Sequence, residues 1–178
     1  MDAARYAATE RLRNGETLLI RALRSDDRGE MLAAVGRASK KTMYRRFFAP
    51  KRSFTEREIE FFLDVDFKTH VALAAVLTED GRSMIVGGAR YIVSQPGRAE
   101  IAFAIDDPHQ KLGIATHLIT HLIRIARAAA LEALVAEVLP ENVPMLKVFE
   151  RCGLPVTSRS EAGSVHVTLS LASGAMGD

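Results

Sequence analysis

The most constraining stretch of this chain runs from Ala99 to Ala130. An alternating run, A-E-I-A-F-A-I, passes through Asp106-Asp107-Pro108 and H-Q-K-L-G-I-A-T into a long apolar-periodic segment. At 100° per residue, Ile114, Leu118, Leu122, Ile125 and Ala129 fall in one narrow sector, which predicts an amphipathic helix over 114–129. Thr116, His117, Thr120, His121, Arg124 and Arg127 lie opposite, on what reads as a solvated face. A glycine-containing loop between a strand and a helix start gathers backbone N–H groups that no intrahelical acceptor satisfies, so it is a natural anion site.

Elements on either side extend the pattern. Thr17 to Ala22 reads as a strand, and Ser25-Asp26-Asp27 offers an N-cap for a helix through about Arg37. Ser53 and Glu56 have capping-box spacing ahead of a helix bearing Ile59, Phe62 and Leu63. His70–Leu77, Ser83–Val93 and Arg98–Ile105, separated by Glu79-Asp80-Gly81 and Gln95-Pro96-Gly97, predict an antiparallel meander. Ala133–Leu139 reads as a buried strand, Asn142–Cys152 as a helix ended by Gly153, and Ser164–Leu171 as a last strand before a frayed tail at 173–178. A length of 178 residues without repeat or linker predicts one α/β domain over 1–178.

Composition excludes several classes. The single Cys152 rules out an internal disulfide and a Cys-rich zinc site. Met1–Asn14 lacks the apolar core of a signal peptide, and no apolar run reaches the ~20 residues a membrane span needs, so a cytoplasmic location is expected. The net charge of +2 is uneven: Met31–Thr55 holds seven basic residues and no acid. Such a cluster is a solvated face or a site for phosphate, acidic protein or nucleic acid.

Neither G-x-G-x-x-G nor G-x-x-x-x-G-K-[ST] occurs, but Gln110, Gly113 and Ala115 form Q-x-x-G-x-A between strand and helix. Downstream come Leu134–Leu139, Asn142 and Glu150-Arg151-Cys152-Gly153-Leu154. In this order the segments resemble the acetyl-CoA-binding core of the GNAT superfamily of N-acetyltransferases, convincingly over Arg82–Leu154. The resemblance implies an α/β (α+β) GNAT fold, with a mixed, mostly antiparallel sheet splayed at the acetyl-CoA site and flanked by helices. It assigns 14–64 to the first strand and two acceptor-side helices, 70–154 to the acetyl-CoA core and 155–172 to the C-terminal strand region. It further implies coenzyme contacts from Phe103, Ala104 and Ile105 on a strand splaying around a bulge. Gln110, Lys111, Leu112, Gly113, Ile114, Ala115 and Thr116 would contact the pyrophosphate, and Asn142 and Phe149 lie further along. No metal is implied.

Acyl transfer to an amine needs the neutral amine, and an ammonium with a pKa of about 10.4 must lose its proton to a base. Alternation puts Glu100 on one strand face with Ala102 and Ala104, making it the candidate base. Phe149 stands where relatives often carry an acid tyrosine, so the sequence leaves open whether a side chain protonates the leaving thiolate, itself a tolerable leaving group with a thiol pKa of about 8.5. Cys152 has no basic partner in sequence, and His117 and His121, though spaced i, i+4, have no Glu between them.

Ser39–Pro50, S-K-K-T-M-Y-R-R-F-F-A-P, resembles a stretch of bacterial protein-lysine acetyltransferase (Pat-like) domains. The resemblance places Tyr44, Arg45, Arg46 and Phe47 near the acceptor. A protein lysine acetyltransferase using acetyl-CoA is the expectation, with direct transfer. A small-amine acetyltransferase and a non-catalytic acyl-CoA-binding regulator are the alternatives. No nucleic-acid or membrane partner is expected, and a homodimer is left open.

Overall fold

The computed structural model describes residues 1–51 and 53–172, so the tail expected at 173–178 and Arg52 lie outside the described residues. Its strands are β1 Ala7–Arg11, β2 Thr17–Ala22, β3 His70–Glu79, β4 Arg82–Gln95, β5 Arg98–Ile105, β6 Ala133–Val138, β7 Val156–Glu161 and β8 Ser164–Ser170. They form one sheet in the order β1-β2-β3-β4-β5-β6-β8-β7, in which only β5–β6 is parallel. The helices are α1 Arg28–Arg37, α2 Lys40–Phe47, α3 Glu56–Leu63, α4 Ile114–Ala128 and α5 Val143–Glu150. This is the mixed, mostly antiparallel α+β architecture expected. None of the described helices is long and apolar enough to cross a membrane.

β3 explains how the sheet is covered on both faces. Every residue from His70 to Leu77 is buried, with no alternation. Val71, Leu73, Ala75 and Leu77 join the main core with Leu118, Leu122 and Ile125 of α4, while Ala72, Ala74 and Val76 pack with Ala34, Leu63 and Val65 near α1 and α3. A strand covered on both faces reads as a continuous apolar run. Small residues dominate the second face: register aligns Ala74–Gly88–Ala104, Ala72–Arg90–Ala102 and His70–Ile92–Glu100 across β3, β4 and β5. That floor of short side chains leaves room beneath α1–α3.

Local structure departs from expectation at several points. Ser25–Asp27 forms a 3-10 turn, and Asp27 is turned inward, where Arg21 holds both its oxygens at 2.7 Å. The capping box forms two residues later than expected, with Thr55 and Glu58 replacing Ser53 and Glu56. Lys51 Nζ lies 2.5 Å from Glu58 and favours that frame. Part of the basic segment is helix α2, capped by the Ser39 hydroxyl on the Thr42 N–H. β1 and β7 are edge strands whose polar sequences carry no apolar alternation.

Candidate active site

β5 and β6 pair only through Arg98–Ala133, Ala99–Leu134 and Glu100–Val135, although β5 continues to Ile105 and β6 to Val138. Beyond Glu100 the two strands part. The Asp106 N–H donates to the Val86 carbonyl on the β4 side at 3.0 Å. Alternation then turns the main-chain groups of Ile101, Phe103 and Ile105 toward β6; Ile101 still pairs through the Glu100–Val135 bridge, so Phe103 and the Ile105 N–H face the opening. The bulge expected in this strand is elsewhere: β5 pairs with β4 in unbroken register from Ala99 to Ile105, and the irregularities fall between Ala75 and Val76 and between Val93 and Gln95.

The loop into α4 is braced from the acceptor side. Asp107 accepts from the Ser39 N–H at 3.2 Å and from the Thr42 hydroxyl at 2.6 Å. Burial pushes the Asp107 carboxyl up, but the hydrogen bonds from Ser39 and Thr42 prevail and hold it below its ordinary value. Buried Asp106 joins Arg37 Nε at 3.0 Å to His109 Nδ1 at 2.6 Å. Gln110 donates to the Ile105 carbonyl at 3.1 Å and to the Thr42 hydroxyl at 3.0 Å, so its amide nitrogen anchors the loop to the strand end. Lys111 and Gly113 adopt φ of 67° and 93°. This left-handed pair turns the chain into α4, whose first N–H groups have no intrahelical acceptor. A Cβ on Gly113 would meet only Arg13 Nε, at 3.7 Å, so the space above the loop is open.

Glu100 is exposed and shares its face with half-buried Ala102 and exposed Ala104, as alternation predicts. It lines a cleft of about 390 Å³ with Arg46, Phe47, Phe61, Phe62, Arg90 and Ala102. An adjoining apolar cavity of about 140 Å³ runs under α1–α3 over Gly87, Gly88, Ala102 and Ala104. Phe47, Phe54 and Phe62 roof the junction, with ring centroids 5.3 Å and 5.4 Å apart along the chain of contacts. Arg46 stacks 4.7 Å over Phe47 and Arg90 4.7 Å over Phe62.

Not every expected site residue reaches the cleft. Arg46 and Phe47 line it, whereas Tyr44 is exposed outside both cavities. Arg45 points toward the β6–α5 connection, where its Nη2 donates to the Glu141 carbonyl at 3.4 Å, and its buried Nε finds no partner among the described residues. Phe149 is 1% exposed and packs edge-on against Phe103 at 5.8 Å, so its ring belongs to the core and offers the coenzyme no surface. Ile114 is likewise buried, which leaves only its main chain to the loop. Asn142 precedes α5 half-buried, and its side chain caps nothing.

Other expectations are corrected. His121 is not on a solvated face: it is 1% exposed, with Nδ1 2.5 Å from the Tyr6 hydroxyl and Nε2 2.9 Å from Glu10. The tertiary contact of β1 with α4 buries it, a contact invisible to helical periodicity. Burial pushes the Cys152 thiol up, away from the thiolate a nucleophile needs. Sequence reasoning also missed Arg90, which faces Glu100's cleft only because of the β4–β5 register, and Arg13, brought to Gly113 by the β1–β2 turn.

Comparison with known proteins places the chain among relatives. The model of the Acetyltransferase (GNAT) family matches residues 39–154. Acetyltransferase PA5475 of Pseudomonas aeruginosa is 34% identical over 119 residues, 66% of this chain and 64% of that protein. Acetyltransferase Pat of Mycolicibacterium smegmatis is 30% identical over 156 residues, 86% of this chain and 46% of that protein. The chain therefore spans about half to two thirds of the length of these relatives. The crystal structure of the GNAT domain of S. lividans PAT superposes with a TM-score of 0.83 at 31% identity, covering 92% of this chain and 96% of that one.

Proposed function

The chain belongs to the GNAT acetyltransferase family, and from that premise we propose that it moves the acetyl group of acetyl-CoA directly to a protein lysine side chain, with Glu100 as general base. The divergence of β5 from β6 carries this reading. It leaves the main-chain groups of Phe103 without a strand partner on the β6 side, immediately before a left-handed loop whose amides gather at the start of α4. An extended thioester arm suits such a strand edge, and a pyrophosphate suits the loop. Acetyl-CoA, as co-substrate, supplies the activated acyl group.

This chain's own residues divide the remaining work. Small side chains at Gly113 and Ala115 admit phosphate to the loop amides of Leu112 to Thr116, and Arg13 stands beside them as a cation. Thr116 and Lys111 are exposed at the same loop. A main-chain N–H of Phe103 or Ile105 polarises the thioester carbonyl, where charge grows during attack. Glu100, beside Ala102 on the cleft floor, takes the ammonium proton and so delivers the neutral amine. Lysine is favoured as acceptor by the relatives named PAT and by the open, aromatic-lined mouth at Phe48 and Phe61.

The test is acetyl-CoA turnover against a panel of lysine peptides, small amines and lysate protein, read as thiol release. Lysine-dependent thiol release with acetyl-lysine by mass spectrometry is the expected result. Acetyl-CoA binding by calorimetry with no turnover on any acceptor would overturn the enzyme reading in favour of a regulator.

A further inference from the structure

We propose that Arg46 and Arg90 form a subsite for an anionic group carried by the acceptor, so that lysines flanked by an acidic side chain are selected over polycationic amines. The inference rests on the transferase reading of the same cleft. Both guanidiniums line both cavities at their junction, one from α2 above and one from the sheet floor. Register puts Arg90 opposite Ala102, one diagonal step from Glu100 on the same face, a separation of about 7–8 Å. An amine held at Glu100 therefore brings a neighbouring acidic side chain within reach of the two cations.

Neither cation is neutralised by the protein. Among the described residues, no carboxylate pairs with Arg46 or Arg90. The Arg46 guanidinium makes no hydrogen bond to a described residue and stacks on Phe47. Arg90 spends Nη1 on the Phe62 carbonyl at 3.3 Å and on His70 Nε2 at 2.8 Å, leaving Nε and Nη2 unspent. His70 cannot balance the charge: burial, and then the charge of Arg90, hold its imidazole below its ordinary value, and it serves as a neutral acceptor. Glu137, the other carboxylate in the cleft, is bound to His166 at 2.5 Å and to Ser164 at 2.7 Å.

The strain of this arrangement shows in both groups. Burial pushes Arg46 down to about 10, and burial plus the charge of Arg46 push Arg90 down to about 9. Both stay charged at neutral pH. Two like charges lining one cleft without a paired counterion repel each other, and a bidentate carboxylate is the group that fits a guanidinium fork. Asp64 and Asp66, the nearest acids in sequence to the roof, line neither cavity, and Asp66 is occupied by the N–H groups of Lys68, Thr69 and His70.

The probes are paired peptides with one lysine followed by glutamate or by glutamine, assayed with the full chain and acetyl-CoA. Wild type should favour the glutamate peptide by about 10- to 100-fold in kcat/KM, carried mainly by KM. Arg46→Gln or Arg90→Gln should collapse that ratio toward one. Arg46→Glu, at a side chain that bonds nothing, should reverse it in favour of a lysine-arginine peptide. Equal use of the two peptides by an active wild type overturns the proposal while sparing the transferase reading; absence of turnover on every acceptor overturns both. Succinyl-CoA outcompeting acetyl-CoA, with that preference lost in Arg90→Gln, would put the anion on the thioester and overturn the acceptor assignment.

Discussion

Glu100→Gln removes a charge and almost no volume from a side chain that is exposed and engaged in no hydrogen bond or ion pair with a described residue. Folding should change little, since substitutions at such positions are usually within about 0.5 kcal/mol. The kinetic consequence is large. A lysine amine of pKa about 10.4 is only about 0.1% neutral at pH 7.4, so a variant without the base must wait for that fraction. General-base removal commonly costs about 10²- to 10⁴-fold. The cleft is open, and hydroxide or buffer can partly replace the carboxylate, which points to the lower part of that range, about 10²- to 10³-fold in kcat. As the pH approaches the acceptor's own pKa the base loses its purpose. The variant's rate should climb about tenfold per pH unit between 7 and 9.5, and the defect should shrink to about tenfold or less. Thiol release measured across that range, with acetyl-CoA affinity checked by calorimetry, reads both quantities. A fully active variant, or one whose loss is the same multiple at every pH, would refute Glu100 as the base.

Gly113→Ala meets open space but forces a Cβ into a φ of 93°, a cost of about 1–2 kcal/mol that re-aims the loop amides; acetyl-CoA binding should weaken about tenfold, and unchanged affinity by calorimetry would undo the loop assignment. Asp27→Ala strands Arg21, which now holds Asp27 bidentately while the Arg24 N–H adds a third bond at 2.7 Å; urea unfolding should show a loss of about 3–5 kcal/mol. Burial holds the His121 imidazole below its ordinary value despite Glu10, and His70 is lowered likewise. The unfolded chain therefore binds these protons first: their stability contribution is complete above pH ~6.5 and is lost as pH falls toward the folded values. Denaturant midpoints should drop from pH 7.5 to 5.5, and His121→Gln should flatten that limb; an unaltered limb would remove His121 from the account.

How much of this was legible in the sequence depended on whether a residue's surroundings were local. The β3–β5 meander, α4, β6 and β8 announced themselves because their burial follows period 2 or 3.6, or a continuous apolar run between turns. Glu100 was legible for the same reason: strand alternation alone fixes which face it shares with Ala102 and Ala104. β1 and β7 were not, since an edge strand with one exposed face needs no apolar pattern to pair. His121 looked solvated because helical periodicity knows nothing of Tyr6 and Glu10, more than a hundred positions away. Arg90 was hidden by register: only the alignment of β4 with β5 brings it to Glu100's face.

The basic segment shows how charge counting fails where geometry decides. Arg37 is spent on Asp106 and the Ile85 carbonyl, Lys51 on Glu58, and Arg45 on the Glu141 carbonyl, so these cations brace the loop, cap a helix and bridge to the β6–α5 connection. Lys40 and Lys41 are exposed at the start of α2. Of the described cations in the segment, only Arg46 lines the cleft, and there it meets Arg90 from the opposite layer. A seven-fold basic run would suggest a broad docking face, but Arg37, Arg45, Arg46 and Lys51 serve four separate ends. The positive charge in the cleft comes from two residues 44 positions apart, one on a helix and one on a strand, lining the same cleft as Glu100. On the proposed reading, a polycation entering there would be repelled by two guanidiniums, whereas a lysine beside an acidic neighbour would bring them a counter-charge.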